Sequence, residues 1–304
     1  MKQALPPPNL LRGNFLTIAA ILLWSTNFPV VELLVQSWHP LLLATVRLAS
    51  SAVCLLVMLA LLRKLPRLSG IPPLPILIYG GGFLGLATVT QTFAVQLAGS
   101  VMVAIIGTAM PLISAIIGYL FAKEPLGILV MIGIAFAIVG GVISSVTGMT
   151  LEVSLGLGEL LMLLSTTMWT LYARGLVLHL GHLDNMTGVA LCSLAGSCTA
   201  LTLSAIALGL GLAAPVYDLS INSIGAIIWL GGFAVGLSTV IFIAGSRILS
   251  VTIASMHLNI VPFYVMMISL ALGGVLVWQQ FWGAALVVVG AILAQFAKRP
   301  PKAP

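Results

Sequence analysis

Residues Leu22 to Val35 read "LLWSTNFPVVELLV". With the "NFLTIAAIL" that leads into it, the stretch Phe15–Val35 is apolar and long enough to cross a bilayer as a helix. Its middle nevertheless carries Trp24, Ser25, Thr26, Asn27 and Pro29, and Glu32 follows closely. In hydrocarbon each unsatisfied polar group costs several kcal/mol. These residues must face neighbouring helices or a polar cavity, not lipid.

The rest of the chain has the same character. Of its 304 residues 61% are hydrophobic and 6% charged, where a soluble domain carries about 25% charged residues. Mean hydropathy is +1.22. The fold class is therefore an all-α polytopic membrane protein. A net charge of +6 would suggest nucleic acid in a soluble protein. Here the cations read as orientation signals beside membrane spans, with no nucleic-acid partner. Cys54, Cys192 and Cys198 lie in apolar stretches without metal or C-x-x-C spacing and read as small buried hydrophobes. Lys2 and Arg12 before an apolar run imitate a signal peptide. The run is too long, and no small-residue cleavage site follows, so it reads as a retained first span.

Apolar runs of about 20 residues predict ten spans, at 14–36, 41–62, 74–96, 100–121, 127–147, 155–178, 186–210, 223–245, 252–273 and 279–297. Residues 1–13 and 298–304 are left as tails. In this division Lys2, Arg12, Arg63, Lys64, Arg67, Lys123, Arg174, Arg247, Lys298, Arg299 and Lys302 share one side. The other side has Glu152 and Asp218 but no Lys or Arg. The positive-inside rule puts both termini in the cytoplasm. Arg174 stands near the loop end of its span, which leaves Arg47 as the one cation deep within a span.

The chain also meets itself under a shift. At 150 residues, Gly81, Gly82 and Phe83 fall on Gly231, Gly232 and Phe233, and Ser100, Val101 and Ala104 on Ser250, Val251 and Ala254. Leu126, Gly133 and Gly140 fall on Leu276, Gly283 and Gly290. A one-residue gap adds Pro111 on Pro262, and a shift of 145 pairs Trp24 with Trp169. Each copy, 14–147 and 155–297, holds five predicted spans. An odd number turns the second copy over, which predicts inverted repeats with a site between them.

"LLWSTNFPVV", the Arg early in span 2 ("LLATVRLAS"), "LFAKEPLG" between spans 4 and 5, and the glycines of spans 5 and 10 resemble the EamA-type drug/metabolite transporter superfamily. Within it the length and the "LLWST" pattern are similar to the YddG-like bacterial amino-acid exporters. The second half departs where Gly274 stands at the position matching Glu124. The resemblance implies an inner-membrane exporter of small metabolites.

The candidate substrate-binding residues are Trp24, Asn27, Gln91, Trp169, His257 and Asn259. Trp24 and Asn27 are too central in the span to reach the interface, and Trp169 repeats the Trp. Thr88, Gln91 and Thr92 share one helix face. His257 and Asn259 precede Pro262 and serve either a site or interhelical hydrogen bonds. Pro29, Pro111 and Pro262 are candidate hinges. Glu32 and Arg47, at similar depth, form a candidate structural ion pair, with substrate contact and snorkelling as the alternatives for Arg47. The "GGGFLG" and "GGFAVG" stretches have small-residue spacing suited to close helix packing.

There is no H-E-x-x-H, no G-x-S-x-G and no Asp within a predicted span, so no enzyme chemistry is expected. No charged ring suggests a channel. A secondary carrier working by alternating access fits the repeat. One cavity cation answers a phosphate dianion poorly, and Glu32, the one carboxylate well inside a span, answers a polycation poorly. That favours small organic molecules, neutral, zwitterionic or singly charged, with amino acids first and lipophilic drugs as the alternative. No cofactor or metal is expected. The partners are the lipid bilayer and a small-molecule substrate, and the protein is expected to be a monomer or weak dimer. His257 and Glu32 are the groups available for proton coupling.

Overall fold

The structure, a computed structural model, describes residues 10–66, 71–122, 127–145 and 156–295. Both extreme tails, Arg67, Lys123, Glu124 and Glu152 lie outside the described residues. Within them the chain is helical, without a strand. Its helices are α1 Leu10–Ser25, α2 Asn27–Leu34 and α3 Pro40–Leu61, then α4 Pro73–Gly107, α5 Met110–Ala122 and α6 Ile128–Ser145. They continue as α7 Leu157–Leu178, α8 Asn185–Gly209 and α9 Ile221–Leu249. The last three are α10 Val251–Ser255, α11 Val261–Ala271 and α12 Trp278–Gln295. Seven helical stretches among the described residues are long and apolar enough to cross a membrane. The protein is a multi-pass membrane protein.

The first helix already runs through residues 10–13 of the expected tail, and Gly13 there packs closely on Ile248 and Leu249 of α9. Its polar centre is partly self-satisfied. Ser25 and Thr26 donate their hydroxyls to Ile21 O and Leu23 O, at 2.7 Å each, and the helix breaks in a turn at Thr26.

Two further breaks stand in corresponding places. Gly99, within α4, has φ 77° and ψ 162°, and Ser250, after α9, has φ 83° and ψ 153°. That backbone region is open to glycine and strained for other residues. Beyond each break the chain runs a short helical stretch, loses regular α geometry at Thr108–Ala109 or over Met256–Ile260, and restarts. Pro111 and Pro262 are each the second residue of the restarted helix, and Pro29 is the third residue of α2. Their missing N–H groups therefore fall where a helix start leaves donors unpaired anyway. The breaks lie upstream of the prolines and not at them.

The helices pair as α1 with the end of α9, α4 with α7, α3 with α8, and α6 with α12. Both glycine-rich stretches are π-helical, over Ile76–Leu84 and Trp229–Leu237. The first packs on α8 and the second on α3. A Cβ on Gly80 would sit 2.5 Å from Cys192 Cα, and one on Gly231 2.5 Å from Arg47 O. A Cβ on Gly85 would likewise sit 3.2 Å from Gly196 Cα, and one on Gly236 2.9 Å from Ser51 Oγ. These contacts relate α4 to α9 by a shift of 151 and α3 to α8 by 145. By contact geometry Gly231 thus corresponds to Gly80, one residue from the Gly81 pairing expected at a shift of 150.

Candidate substrate site

Trp24 on α1 stacks on Trp169 on α7, with ring centroids 5.4 Å apart and planes 24° apart. Both are half-buried. Phe28 and Phe242 close around the pair, at 5.4 Å from Trp24 and 5.2 Å from Trp169. A hollow opens on each side of the stack. One is lined by Ala20, Ile21, Ser238, Thr239 and Phe242 besides the two tryptophans. The other is lined by Gln91, Gly107, Met110, Met162, Ser165 and Thr166 with the same two rings. Under the shifts of 145 and 151, Ala20 and Ile21 map to Ser165 and Thr166, and Gln91 maps to Phe242. The hollows are thus counterparts. Each has room for about one water, so the stacked rings hold the space closed.

Behind Gln91 lies a buried polar triad drawn from three helices. Gln91 Oε1 accepts from Arg47 Nη2 at 2.7 Å and from Asn27 Nδ2 at 3.3 Å. Asn27, Arg47 and Gln91 are 0%, 2% and 6% exposed. Gln91 is buried on the same side of α4 as Thr88 and Thr92, whose hydroxyls return to their own helix at Leu84 O and Thr88 O. Gly231 brings the α9 backbone directly onto Arg47 O, fixing where the arginine leaves α3. The triad is incomplete: Arg47 Nε and Nη1 and Asn27 Oδ1 have no partner.

The expected Glu32–Arg47 ion pair is not formed. Glu32 Oε2 instead accepts the hydroxyl of Ser100, and its Oε1 lies against Gly99, so the carboxylate seats the break in α4. Arg47 turns to Gln91. Equal depth along two helices gives height but not direction, and direction decided the partners.

The structure brings Trp24, Asn27, Gln91 and Trp169 together, but His257 and Asn259 line neither hollow. His257 lies on the 3-10 stretch, with Nδ1 3.3 Å from Ala254 O. Asn259 is 5% exposed, and both its side-chain polar atoms are unpaired. Three contributors were missed in the sequence: Phe242, the Ser165–Thr166 pair, and Arg47 as Gln91's partner. A shift of 151 applied to Gln91 would have pointed to Phe242.

The ends of the bundle are tied differently. At one end His39 N donates to Val216 O at 2.8 Å and Trp38 Nε1 to Ser223 Oγ at 2.8 Å, with Tyr217 beside Trp38. Elsewhere Arg247 donates to the carbonyls of Leu180, Gly181 and Leu183 at 3.1–3.5 Å. Arg174 donates to Ser114 O and Oγ at 3.2 Å each.

A multi-pass helical protein with broken helices around an aromatic, partly polar centre is built as membrane transporters are. Residues 11–146 match the EamA-like transporter family. The EamA-type drug/metabolite transporter resemblance carried by the span-1 and inner-loop motifs therefore holds, over a stretch that includes α1 to α6. A solved structure described only as a crystal structure of a protein is similar with a TM-score of 0.67 and 19% identity, over 94% of this chain and 98% of that one. At that identity the likeness speaks for the fold alone. No curated protein matches the chain.

Proposed function

We propose that the protein is a secondary transporter that exports small organic metabolites, foremost amino acids, by alternating access between two inverted five-helix repeats. The observation that carries this reading is the Trp24–Trp169 stack, one ring from each half of the chain, with a hollow on either side. Helix pairings that exchange under the shifts of 145 and 151, and the matched breaks at Gly99 and Ser250, support the repeat. Trp24, Asn27, Gln91 and Trp169 make the substrate site. His257 and Asn259 join it when the 3-10 stretch moves, since Asn259 has unspent hydrogen-bonding groups. The bending points are the breaks ahead of Pro29, Pro111 and Pro262. The protein lies in the inner membrane with cytoplasmic termini, which the basic residues Arg63, Lys64, Arg174 and Arg247 support.

Counterflow in proteoliposomes without ATP tests the reading: labelled amino acids should exchange across the vesicle membrane. Movement of lipophilic dyes with no movement of any amino acid would replace it with a multidrug exporter, the alternative that the Trp24, Trp169 and Phe242 lining favours. Single cysteines at Leu62 and Leu219, on a cysteine-free background, should label from opposite sides of the membrane.

A further inference from the structure

We infer that the buried triad behind the hollow walled by Gln91 is a carboxylate site, reached when the stacked rings part. Arg47, which lines neither hollow while the rings are stacked, takes the carboxylate of the transported molecule, Asn27 Oδ1 takes its ammonium group, and the Phe242 hollow takes its apolar part. This rests on the transport reading and narrows its cargo to amphiphilic carboxylates, apolar α-amino acids among them.

A guanidinium carries five N–H donors, accepts nothing and stays charged. Arg47 is almost fully buried, yet it places only Nη2 on a partner, and that partner is a neutral amide. An uncompensated buried cation is costly. The nearest expected counter-charge, Glu32, accepts from Ser100 instead. Asn27 gives its donor to the same amide oxygen and keeps Oδ1 unspent. Unspent donors bearing a positive charge and an unspent acceptor thus belong to two side chains that share Gln91 Oε1, the complement of a zwitterion.

Helix packing does not require this polarity. Under the same shifts Asn27, Arg47 and Gln91 correspond to Tyr172, Cys192 and Phe242. There the matching crossing, Gly80 on Cys192, closes as tightly as Gly231 on Arg47 without a charged or amide side chain. The charge is additional to the scaffold. A single cation with no second basic group in the triad suits a monoanion better than a phosphate. Trp24 and Trp169 line both hollows, so one molecule with a charged head at the triad and an apolar tail beside Phe242 spans both once the rings part.

The test is calorimetric titration of the purified protein with L-phenylalanine, L-phenylalaninamide and 3-phenylpropanoate. The unmodified protein should bind phenylalanine at least about tenfold tighter than the amide, the scale of one lost charge-assisted hydrogen bond. Arg47→Gln should erase that preference, and Arg47→Lys should keep part of it. A merely structural arginine would weaken all three ligands alike. Equal binding of phenylalanine and its amide by the unmodified protein overturns the inference and needs no variant that folds, as does a preference that survives Arg47→Gln. If amino acids exchange in vesicles but the amide binds as well as phenylalanine, the transport reading stands and the carboxylate site falls. If no amino acid exchanges while 3-phenylpropanoate binds through Arg47, the site stands and the amino-acid reading falls. No binding of any probe overturns the carboxylate site, and the counterflow assay then decides the transport reading by itself.

Discussion

Asn27, Arg47 and Gln91 in one half of the chain and Tyr172, Cys192 and Phe242 in the other occupy matching places around the tryptophan stack. Both sets are buried, and both sit behind glycine-mediated helix crossings. One set is charged and hydrogen-bonded; the other is an aromatic and thiol wall whose Tyr172 hydroxyl has no partner. The same backbone arrangement therefore accepts either chemistry. What distinguishes the two sides of the site is three side chains, not the course of the helices.

The sharpest way to break this comparison is Gln91→Leu. It leaves the Arg47 guanidinium without a hydrogen-bond partner and should cost about 3–5 kcal/mol of stability, read from denaturant unfolding in detergent. Adding Arg47→Met should return most of that stability while amino-acid binding stays lost, because the first side would then imitate the second. If the double variant binds as the parent does, the triad has no part in recognition.

Gly231→Ala and Gly80→Ala come next. Each new Cβ would meet backbone at 2.5 Å, an overpacking that costs about 1–3 kcal/mol. The two losses should be similar, but Gly231→Ala should also weaken binding, since it pushes on Arg47. Equal binding in both variants would detach the site from that crossing.

A double-mutant cycle of Trp24→Leu and Trp169→Leu should give a coupling of about 1 kcal/mol in stability, the worth of one aromatic pair beyond its burial. Zero coupling would mean that the rings do not stack in the membrane. The smallest effect is expected at Ser250→Gly. Relief of the left-handed backbone there should stabilise by up to about 1 kcal/mol against the greater freedom glycine brings to the unfolded chain, whereas Gly99→Ala should destabilise. The same sign for both would mean that the two breaks are not equivalent.

Helix positions were legible because apolar length is a strong signal in a membrane chain, and the predicted division at 96–100 falls beside the break at Gly99. The proposed repeat rests in the sequence on the GGF and Trp matches. Its register was not legible, because residue identity favoured Gly81 on Gly231 while close approach pairs Gly80 with Gly231. In the candidate site, Trp24 and Asn27 stood out as polar or amphipathic groups at a span centre, and Gln91 by its rarity in lipid. The partner of Arg47 was hidden, since it depends on how three helices are rotated about their axes. A hydropathy pattern of mixed packing faces does not specify those rotations.

The change of register from 145 to 151 between α3–α8 and α4–α9 also has kinetic weight. α8 runs 25 residues where α3 runs 22, and each extra residue adds about 1.5 Å of helix. The lengthened end carries the turn whose Val216 and Tyr217 meet His39 and Trp38. The matching end of the bundle is tied by Arg247, which projects from a helix. A surface turn rearranges in nanoseconds to microseconds, and packed helices shift in microseconds to milliseconds. If the protein works by the proposed alternating access, each end of the passage has its own clock, and the slower one lies where a helix side chain must let go.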